Sequence, residues 1–308
     1  MTPTSAWERF WFAEVPPHCY ALLRILFGML AVVSLLQERE LTLFWDVDGL
    51  VPGMQDGIGL KASLFAYGLG HVAGRGLFFA SLAAYGCMAL GLWSTISVTA
   101  SFLALSAQVY WNHLPLSGAH SAIQAVVLCL VFVDCGAVWS LDSWLARRRG
   151  ANDGVLGVVT YPIAPLRLIR VQVALVYLSS GLWKLFNDQW RDGSAVHYVL
   201  SNNVYQRFRY QVPPGLDWLT TLLTYGVLFW EISFGLMVLY RPTRRIAIIV
   251  GVMMHLGMLT AIEIGPFGWV MLASYVAFLE PERVPSLPDR FGHVFVRPSR
   301  SPAIEAQR

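Results

Sequence analysis

The sequence predicts an all-α integral membrane protein, a polytopic bundle of about eight transmembrane helices. Of its 308 residues, 56% are apolar and only 13% are charged, whereas soluble domains carry about 25% charged residues. Apolar runs close to the length that crosses a bilayer, about 20 residues, recur along most of the chain. The mean hydropathy of +0.53 agrees with these runs. The net charge of +3 is too small to indicate nucleic acid, so we expect no DNA or RNA partner.

The chain divides into three parts. Residues 1–17 form a short interfacial segment, because aromatic side chains are enriched where a membrane meets water. Residues 18–280 form the transmembrane domain, and residues 281–308 form a Pro- and Arg-rich tail. A turn-rich loop with short helices is expected between the first two spans. The predicted spans are 18–36, 76–93, 95–111, 119–140, 164–186, 218–240, 244–262 and 266–280.

Arginines mark the loops after the fourth, sixth and eighth spans. With eight spans these loops share one side of the membrane, and the positive-inside rule assigns that side to the cytoplasm. Both termini are then cytoplasmic, and the expected location is the inner or plasma membrane. Unusual polar residues gather at the opposite, non-cytoplasmic mouth of the bundle. The arginines are Arg147, Arg148, Arg149, Arg241, Arg244, Arg245, Arg283 and Arg290.

The fifth predicted span, 164–186, carries a lysine on its last apolar turn. An amine at the bilayer centre costs roughly 2.5–3.5 kcal/mol, and less near a helix end. Helical spacing puts Lys184 on one stripe with Tyr177 and Gly181, which indicates a face turned into the bundle. There a poorly solvated Lys184 can serve as a base. The alternative is that its side chain simply reaches the headgroups.

His120 lies near the start of the fourth predicted span, and His255 lies within the seventh. Such residues are more often hydrogen-bonded packing residues than ligands, and no spacing here is typical of a metal site. We therefore expect no metal. The cysteines show no CxxC spacing and are expected to be structural thiols; they are Cys19, Cys87, Cys129 and Cys135.

Four further charges fall within predicted spans at greater depth. Asp134 and Glu231 are acidic, and Arg24 and Arg170 are the obvious counter-ions. Charges inside a membrane are usually paired. We therefore expect the two carboxylates to form structural ion pairs with the two arginines.

Several short motifs occur in an order that is similar to a known family. Together they resemble the membrane domain of vitamin K-dependent gamma-carboxylases, within the wider HTTM (horizontally transferred transmembrane) family. The resemblance extends over roughly residues 20–280. The motifs are Arg24–Gly28, Gln37–Arg39, Asp134 with Trp139–Asp142, Tyr177–Leu185 with Trp190–Gly193, and His255 with Ile264–Phe267 and Met271–Ser274.

The resemblance implies a chemistry. In the carboxylases a reduced naphthoquinone, such as vitamin K hydroquinone or menaquinol, is deprotonated by an amine and reacts with O2. The strong base so formed removes a γ-proton from a glutamate, which takes up CO2. By resemblance Lys184 and His120 are the catalytic residues, and the quinone-binding residues are Tyr177, His255, Gly181 and Trp183. The quinol would enter from the lipid.

The chain differs from the carboxylases in one respect that leaves two functional hypotheses open. Those enzymes carry a large soluble region that grips their protein substrate, whereas only residues 281–308 follow the last predicted span here. The chain looks like a short HTTM form, whose members include maturation factors for secreted peptide toxins. One hypothesis is a quinol-dependent enzyme that modifies a small or secreted peptide. The other is a non-catalytic factor that matures or exports a secreted partner; a partner subunit is compatible with either. No repeat supports a transporter.

Overall fold

The computed structural model describes residues 5–41, 45, 70–111, 117–149, 159–208, 212–213 and 215–284. Most of the predicted loop between the first two spans, and the tail beyond residue 284, lie outside these residues. The helices are α1 (Ala6–Phe12), α2 (His18–Gln37), α3 (Gly70–Leu90), α4 (Ser94–Trp111), α5 (Gly118–Val131), α6 (Leu141–Arg148), α7 (Ala164–Leu185), α8 (Asp188–Arg191), α9 (Ala195–Ser201), α10 (Asp217–Leu239), α11 (Arg241–Ala261) and α12 (Phe267–Ser274). The 3₁₀ turns Tyr275–Phe278 and Pro281–Arg283 follow α12.

The predicted fold class is confirmed, but the predicted number of spans is not. Within the described residues, five helices are long and apolar enough to cross a membrane, namely α2, α3, α7, α10 and α11. Shorter apolar helices lie over Ser94–Val109, Gly118–Val131 and Phe267–Phe278. The structure is therefore an all-α bundle. Among the described residues, five helices rather than eight have the length and apolar composition of a membrane span.

The predicted span 119–140 is wrong in its second half. Helix α5 ends at Val131, and the chain then turns through residues 132–140 before α6. The Asp134 carboxylate accepts the Gly136 amide at 2.9 Å, a side-chain turn that competes with helix. Ser140 then caps α6 through a reciprocal pair of hydrogen bonds with Ser143. Helix α5 is consequently only 14 residues long.

A short strand pair ties the N-terminal segment to the start of α7. Strand β1 (Glu14–Val15) pairs antiparallel with β2 (Tyr161–Pro162). The Ile163 amide also donates to the Ala13 carbonyl at 2.8 Å, and the Tyr20 hydroxyl donates to the Pro162 carbonyl at 2.5 Å. The N-termini of α2 and α7 therefore lie together. We call this end of the bundle the sheet end.

Helix α2 is the most buried of the five long helices, with half of its apolar window inside the bundle. It packs against α3, α5 and α12, while α7 packs against α10 and α5. Cys19, Leu23 and Phe27 of α2 are fully buried. At the end opposite β1 and β2, the α8–α9 segment packs on α10, and Tyr225 of α10 donates to the Arg191 carbonyl at 2.9 Å. Lys184 lies at this far end.

Candidate functional site

Lys184 is turned into the bundle, as its polar stripe predicts. Its amine donates to the Glu231 carboxylate of α10 and, at 3.2 Å, to the Ser180 hydroxyl one turn earlier. It also lies 4.7 Å from the ring centroid of Trp190. The Lys184 side chain is 21% exposed and that of Glu231 is 8% exposed. The amine is thus engaged by protein groups, rather than extended toward the headgroups.

Helices α7 and α10 approach closely at Gly181. A Cβ atom there would lie 2.8 Å from Cγ1 of Ile232 and 3.2 Å from Cβ of Glu231. The absence of a side chain therefore lets Glu231 come within reach of Lys184. Gly181 has a packing role in this contact, and its predicted place in a quinone pocket stays a prediction.

A second set of polar side chains meets about two turns deeper along α7. The Tyr177 hydroxyl is 2.6 Å from Nε2 of His255 on α11 and 2.7 Å from the Tyr275 hydroxyl on the first 3₁₀ turn. All three residues are buried, at 5% exposure or less. The rings of Trp230 and Phe234 each lie 4.5 Å from that of Tyr177, centroid to centroid. The hydroxyls therefore sit in an apolar, aromatic shell, where hydrogen bonds are less exposed to competition from water.

Gly251 makes room for this second set. A Cβ atom at this position would overlap the Tyr275 hydroxyl and lie 2.7 Å from Cζ2 of Trp230. The two sets adjoin, since Tyr177 and Lys184 lie on one face of α7 and Glu231 directly follows Trp230, whose ring packs on that of Tyr177. We treat them as one unit, the central cluster: Tyr177, Lys184, Glu231, His255 and Tyr275.

Two buried polar atoms of the central cluster have no hydrogen-bond partner among the described residues. They are Oε2 of Glu231 and Nδ1 of His255. Leaving a buried polar group unsatisfied costs about 1–3 kcal/mol, so such atoms are usually met by a water molecule or a ligand. The carboxylate oxygen accepts hydrogen bonds, while the imidazole nitrogen donates or accepts according to the tautomer. A hydroxyl group, which does both, suits each of them.

Two predicted site residues are not brought to the central cluster by the described contacts. Nε2 of His120 is 3.0 Å from the Leu105 carbonyl on α4, and the residue is 5% exposed. Trp183 is 79% exposed and lies on the outer surface of α7. His120 is thus a buried, hydrogen-bonded histidine, and Trp183 is placed to contact lipid. Their catalytic and quinone-binding roles stay predictions.

The predicted pairing of the deeper charges is wrong. Glu231 contacts Lys184, not an arginine. Arg24 donates to the Trp139 carbonyl and Arg170 to the Ala277 carbonyl, each at 2.6 Å. Asp134 accepts from the Gly136 amide and, at 3.3 Å, from the Tyr161 hydroxyl. Backbone carbonyls and amides at helix ends have no partner within the helix. Such backbone groups, rather than side chains of opposite charge, bind Arg24, Arg170 and Asp134.

Comparison with known proteins places the chain in a family. Residues 66–282 match the HTTM domain, which is more than half of the chain. The chain belongs to the HTTM family. A relative is the Sporulation-delaying protein SdpB of Bacillus subtilis (strain 168), which is 28% identical over 145 residues. This match covers 46% of the chain and 44% of SdpB, so it spans less than half of either protein. No solved structure matches the chain.

The HTTM match includes every member of the central cluster. Two of them, Glu231 and Tyr275, are not among the site residues predicted from the sequence. A signal for Glu231 is present, because an acidic residue in an apolar helix needs a partner and Lys184 is an amine that also needs one. No comparable signal marks Tyr275. Among the described residues no group of three or more His, Cys, Asp or Glu side chains is arranged to hold a metal.

Proposed function

We propose that this HTTM protein is a membrane factor that matures or exports a secreted peptide, with the central cluster as its working site. The observation that carries the proposal is the engagement of Lys184. Its amine already contacts Glu231 and Ser180, so it is not presented as a free base. A relationship to a protein named for delaying sporulation, rather than for carboxylation, supports the same choice.

A comparison of secreted peptides tests this proposal. Cells that express the wild-type chain, no chain, or the Lys184→Ala variant are grown alike, and their culture media are compared by mass spectrometry. We expect at least one mature peptide in the wild-type medium that is lost without the chain and reduced in the variant. The control is Arg148→Gln, which removes an exposed positive charge on α6 and should leave the peptide unchanged. Identical peptide profiles with and without the chain would contradict the proposal.

A second candidate function is a quinol-dependent enzyme of the carboxylase type. The observation that favours it is the pair of unsatisfied atoms, Oε2 of Glu231 and Nδ1 of His255. A naphthoquinol carries two hydroxyls whose donors and acceptors fit these atoms. When bound, such a quinol supplies the reducing electrons of the reaction, with O2 and CO2 as co-substrates. Glu231 and His255 would hold its hydroxyls, and the aromatic shell around Tyr177 would exclude water.

Quinol oxidation by the purified protein separates the two candidates. The wild-type chain in detergent is given menaquinol, O2 and bicarbonate, and epoxide formation is followed by chromatography. Activity that is present in the wild type and absent in Lys184→Ala would support the enzyme. Two equally inactive proteins, together with a peptide that depends on the chain, would favour the factor. A secreted peptide that gains the mass of CO2 on glutamate would also identify the enzyme.

A further inference from the structure

Three arginines come together at the sheet end, on the first two turns of two helices. Arg167 and Arg170 are on α7, and Arg244 is on α11. Arg244 donates to the Val238 carbonyl, one turn beyond Gly235 on α10, and a Cβ atom at Gly235 would lie 3.7 Å from Cβ of Ala174, one turn from Arg170 on α7. Each of the three residues is only partly exposed. Like charges repel, so their assembly in one place requires a compensating interaction.

The described part of the chain does not neutralise these three charges. Arg170 donates to the Ala277 carbonyl, and Arg244 donates to the Val238 carbonyl at 2.8 Å. The Arg167 guanidinium stacks 3.7 Å from the ring centroid of Phe10, and its Nη1 is buried without a hydrogen-bond partner. None of the three forms an ion pair with a described carboxylate. Carbonyls accept hydrogen bonds but bring no net negative charge.

The described carboxylates of this region either bind other side chains or form no ion pair with the three arginines. Glu280 pairs with Arg283, and Glu14 accepts the Thr160 hydroxyl at 2.5 Å. Glu282 is exposed on the second 3₁₀ turn and is not in ion-pair contact with the three arginines. The three positive charges therefore call for an anion that these carboxylates do not supply.

The neighbouring helix α1 indicates the depth of this cluster in the membrane. Its aromatic side chains Trp7, Phe10 and Phe12 are 67%, 51% and 62% exposed, respectively. Exposed aromatic residues beside an apolar bundle are typical of the membrane–water interface, at the level of the lipid headgroups. Helix α1 packs on α7, and Phe10 covers Arg167. The three arginines consequently lie at headgroup depth.

We propose that Arg167, Arg170 and Arg244 form a binding site for the phosphate of an anionic phospholipid at the sheet end. Guanidinium groups donate paired hydrogen bonds to phosphate oxygens, and basic pockets between transmembrane helices on the cytoplasmic side hold anionic headgroups. The positive-inside rule predicts that this end is cytoplasmic, where the leaflet carries anionic lipids. The acyl chains would lie along the apolar faces of α7 and α11. This site is separate from the central cluster and does not depend on the proposed function.

Lipid titration of the full-length protein tests the site. The protein is purified in a neutral detergent and titrated with short-chain phosphatidylglycerol or phosphatidylcholine, and bound lipid is counted by native mass spectrometry. We expect the wild type to prefer phosphatidylglycerol. The decisive variant is Arg167→Gln, because Nη1 of this guanidinium is buried without a hydrogen-bond partner among the described residues, and circular dichroism checks that the variant keeps its helical content. Its affinity for phosphatidylglycerol is expected to fall about fivefold, with that for phosphatidylcholine unchanged.

The matched control is Arg147→Gln, an exposed arginine on α6 at the same predicted side. It should bind phosphatidylglycerol as the wild type does. Equal loss in Arg147→Gln and Arg167→Gln would overturn the site, since the effect would then be one of overall charge. Displacement of the lipid by millimolar inorganic phosphate would also overturn it, because it would identify a general anion site. If Arg170→Gln and Arg244→Gln remain folded, each should weaken binding as Arg167→Gln does.

Discussion

The sheet end and the central cluster satisfy their charged groups in different ways. At the sheet end, the Trp139 carbonyl accepts a hydrogen bond from Arg24, and the amides of Trp93 and Ser94 donate to Asp142 at 2.9 and 2.8 Å. In the central cluster, Lys184 and Glu231 meet each other across two helices. Backbone partners are fixed by the turns themselves, whereas side-chain partners depend on how the helices are packed.

This difference separates structural charges from candidate functional ones. The backbone partners of Arg24 and Asp142 hold these two charges at turns, and we assign them a structural role. The central cluster instead contains groups from α7, α10, α11 and the 3₁₀ turn, and two of its buried atoms still lack partners among the described residues. At the sheet end, Nε and Nη1 of the fully buried Arg24 and Nη1 of Arg167 also lack such partners. Four substitutions test the contrast.

The largest effect is expected from Lys184→Met. The substitution leaves the Glu231 carboxylate buried without a counter-ion, which should cost about 3–5 kcal/mol of unfolding free energy. Unfolding in mixed detergent micelles measures the change. The double variant Lys184→Met/Glu231→Leu should recover most of the stability. It should recover neither production of the mature peptide nor oxidation of the quinol. A double variant no more stable than Lys184→Met would show that the pair is not the source of the effect.

The next effect is expected from Gly251→Ala. The new methyl group would overlap the Tyr275 hydroxyl and press on Trp230, at a cost of about 1–3 kcal/mol. Function should fall with stability, because Tyr275 must move away from Tyr177. Gly257→Ala on the same helix is the matched control, since a Cβ atom there meets nothing within 4 Å. The same thermal shift in both variants would mean that helix propensity, rather than crowding, sets the result.

A smaller effect is expected from Tyr177→Phe. Removing the hydroxyl takes a hydrogen-bond partner from both His255 and Tyr275, and such bonds in membrane helices are worth about 0.6–1.7 kcal/mol. If the hydroxyl takes part in function, activity should fall even under conditions in which unfolding measurements show that the variant is fully folded. Tyr198→Phe is the control, because this tyrosine is 54% exposed on α9. Full activity in Tyr177→Phe would remove that hydroxyl from the working site.

The smallest effect is expected from Asp142→Asn at the sheet end. Burial alone would raise the pKa of Asp142, but hydrogen bonds from Ser94 and Trp93 outweigh it and hold the pKa below its ordinary value of 3.8. Ionised Asp142 therefore adds stability at pH values above 3.8, and this contribution is lost as the pH falls through the lowered pKa.

At neutral pH the Asp142→Asn variant should lose about 0.3–1 kcal/mol, since the charge at the N-terminus of α4 is removed. Chemical unfolding at several pH values measures this loss, and the difference between variant and wild type should shrink in acid, with activity unchanged. Asp188→Asn, at an exposed aspartate of α8, controls for the loss of one negative charge. A strong loss of activity in Asp142→Asn would contradict the structural assignment of the sheet end.

Most of the fold could be predicted because the length of an apolar run nearly fixes the length of a membrane helix. The predicted spans 18–36 and 164–186 agree with α2 and α7 to within one residue at either end. The prediction failed after Val131, where Phe132, Val133 and Cys135 keep the hydropathy high although Asp134 and Gly136 turn the chain. Hydropathy records burial, and a buried turn is as apolar as a buried helix.

Only the part of the site that lies on a single helix could be predicted from the sequence. The helical period placed Tyr177, Gly181 and Lys184 on a single face of α7, and the structure confirms that this face points inward. The partners Glu231 and Tyr275 lie on other elements, and their register against α7 depends on contacts such as that at Gly181. No periodicity within a helix encodes that register. For the same reason the predicted arginine partners were wrong.

The pairing of β1 with β2 sets an order for the assembly of the protein. Glu14 and Thr160 meet although 146 residues separate them in the chain. During synthesis, the N-terminal segment must wait at the membrane until the ribosome has produced the start of α7. Helices α2 to α5 are therefore made before the strand pair can form, and α10 to α12 are made after it.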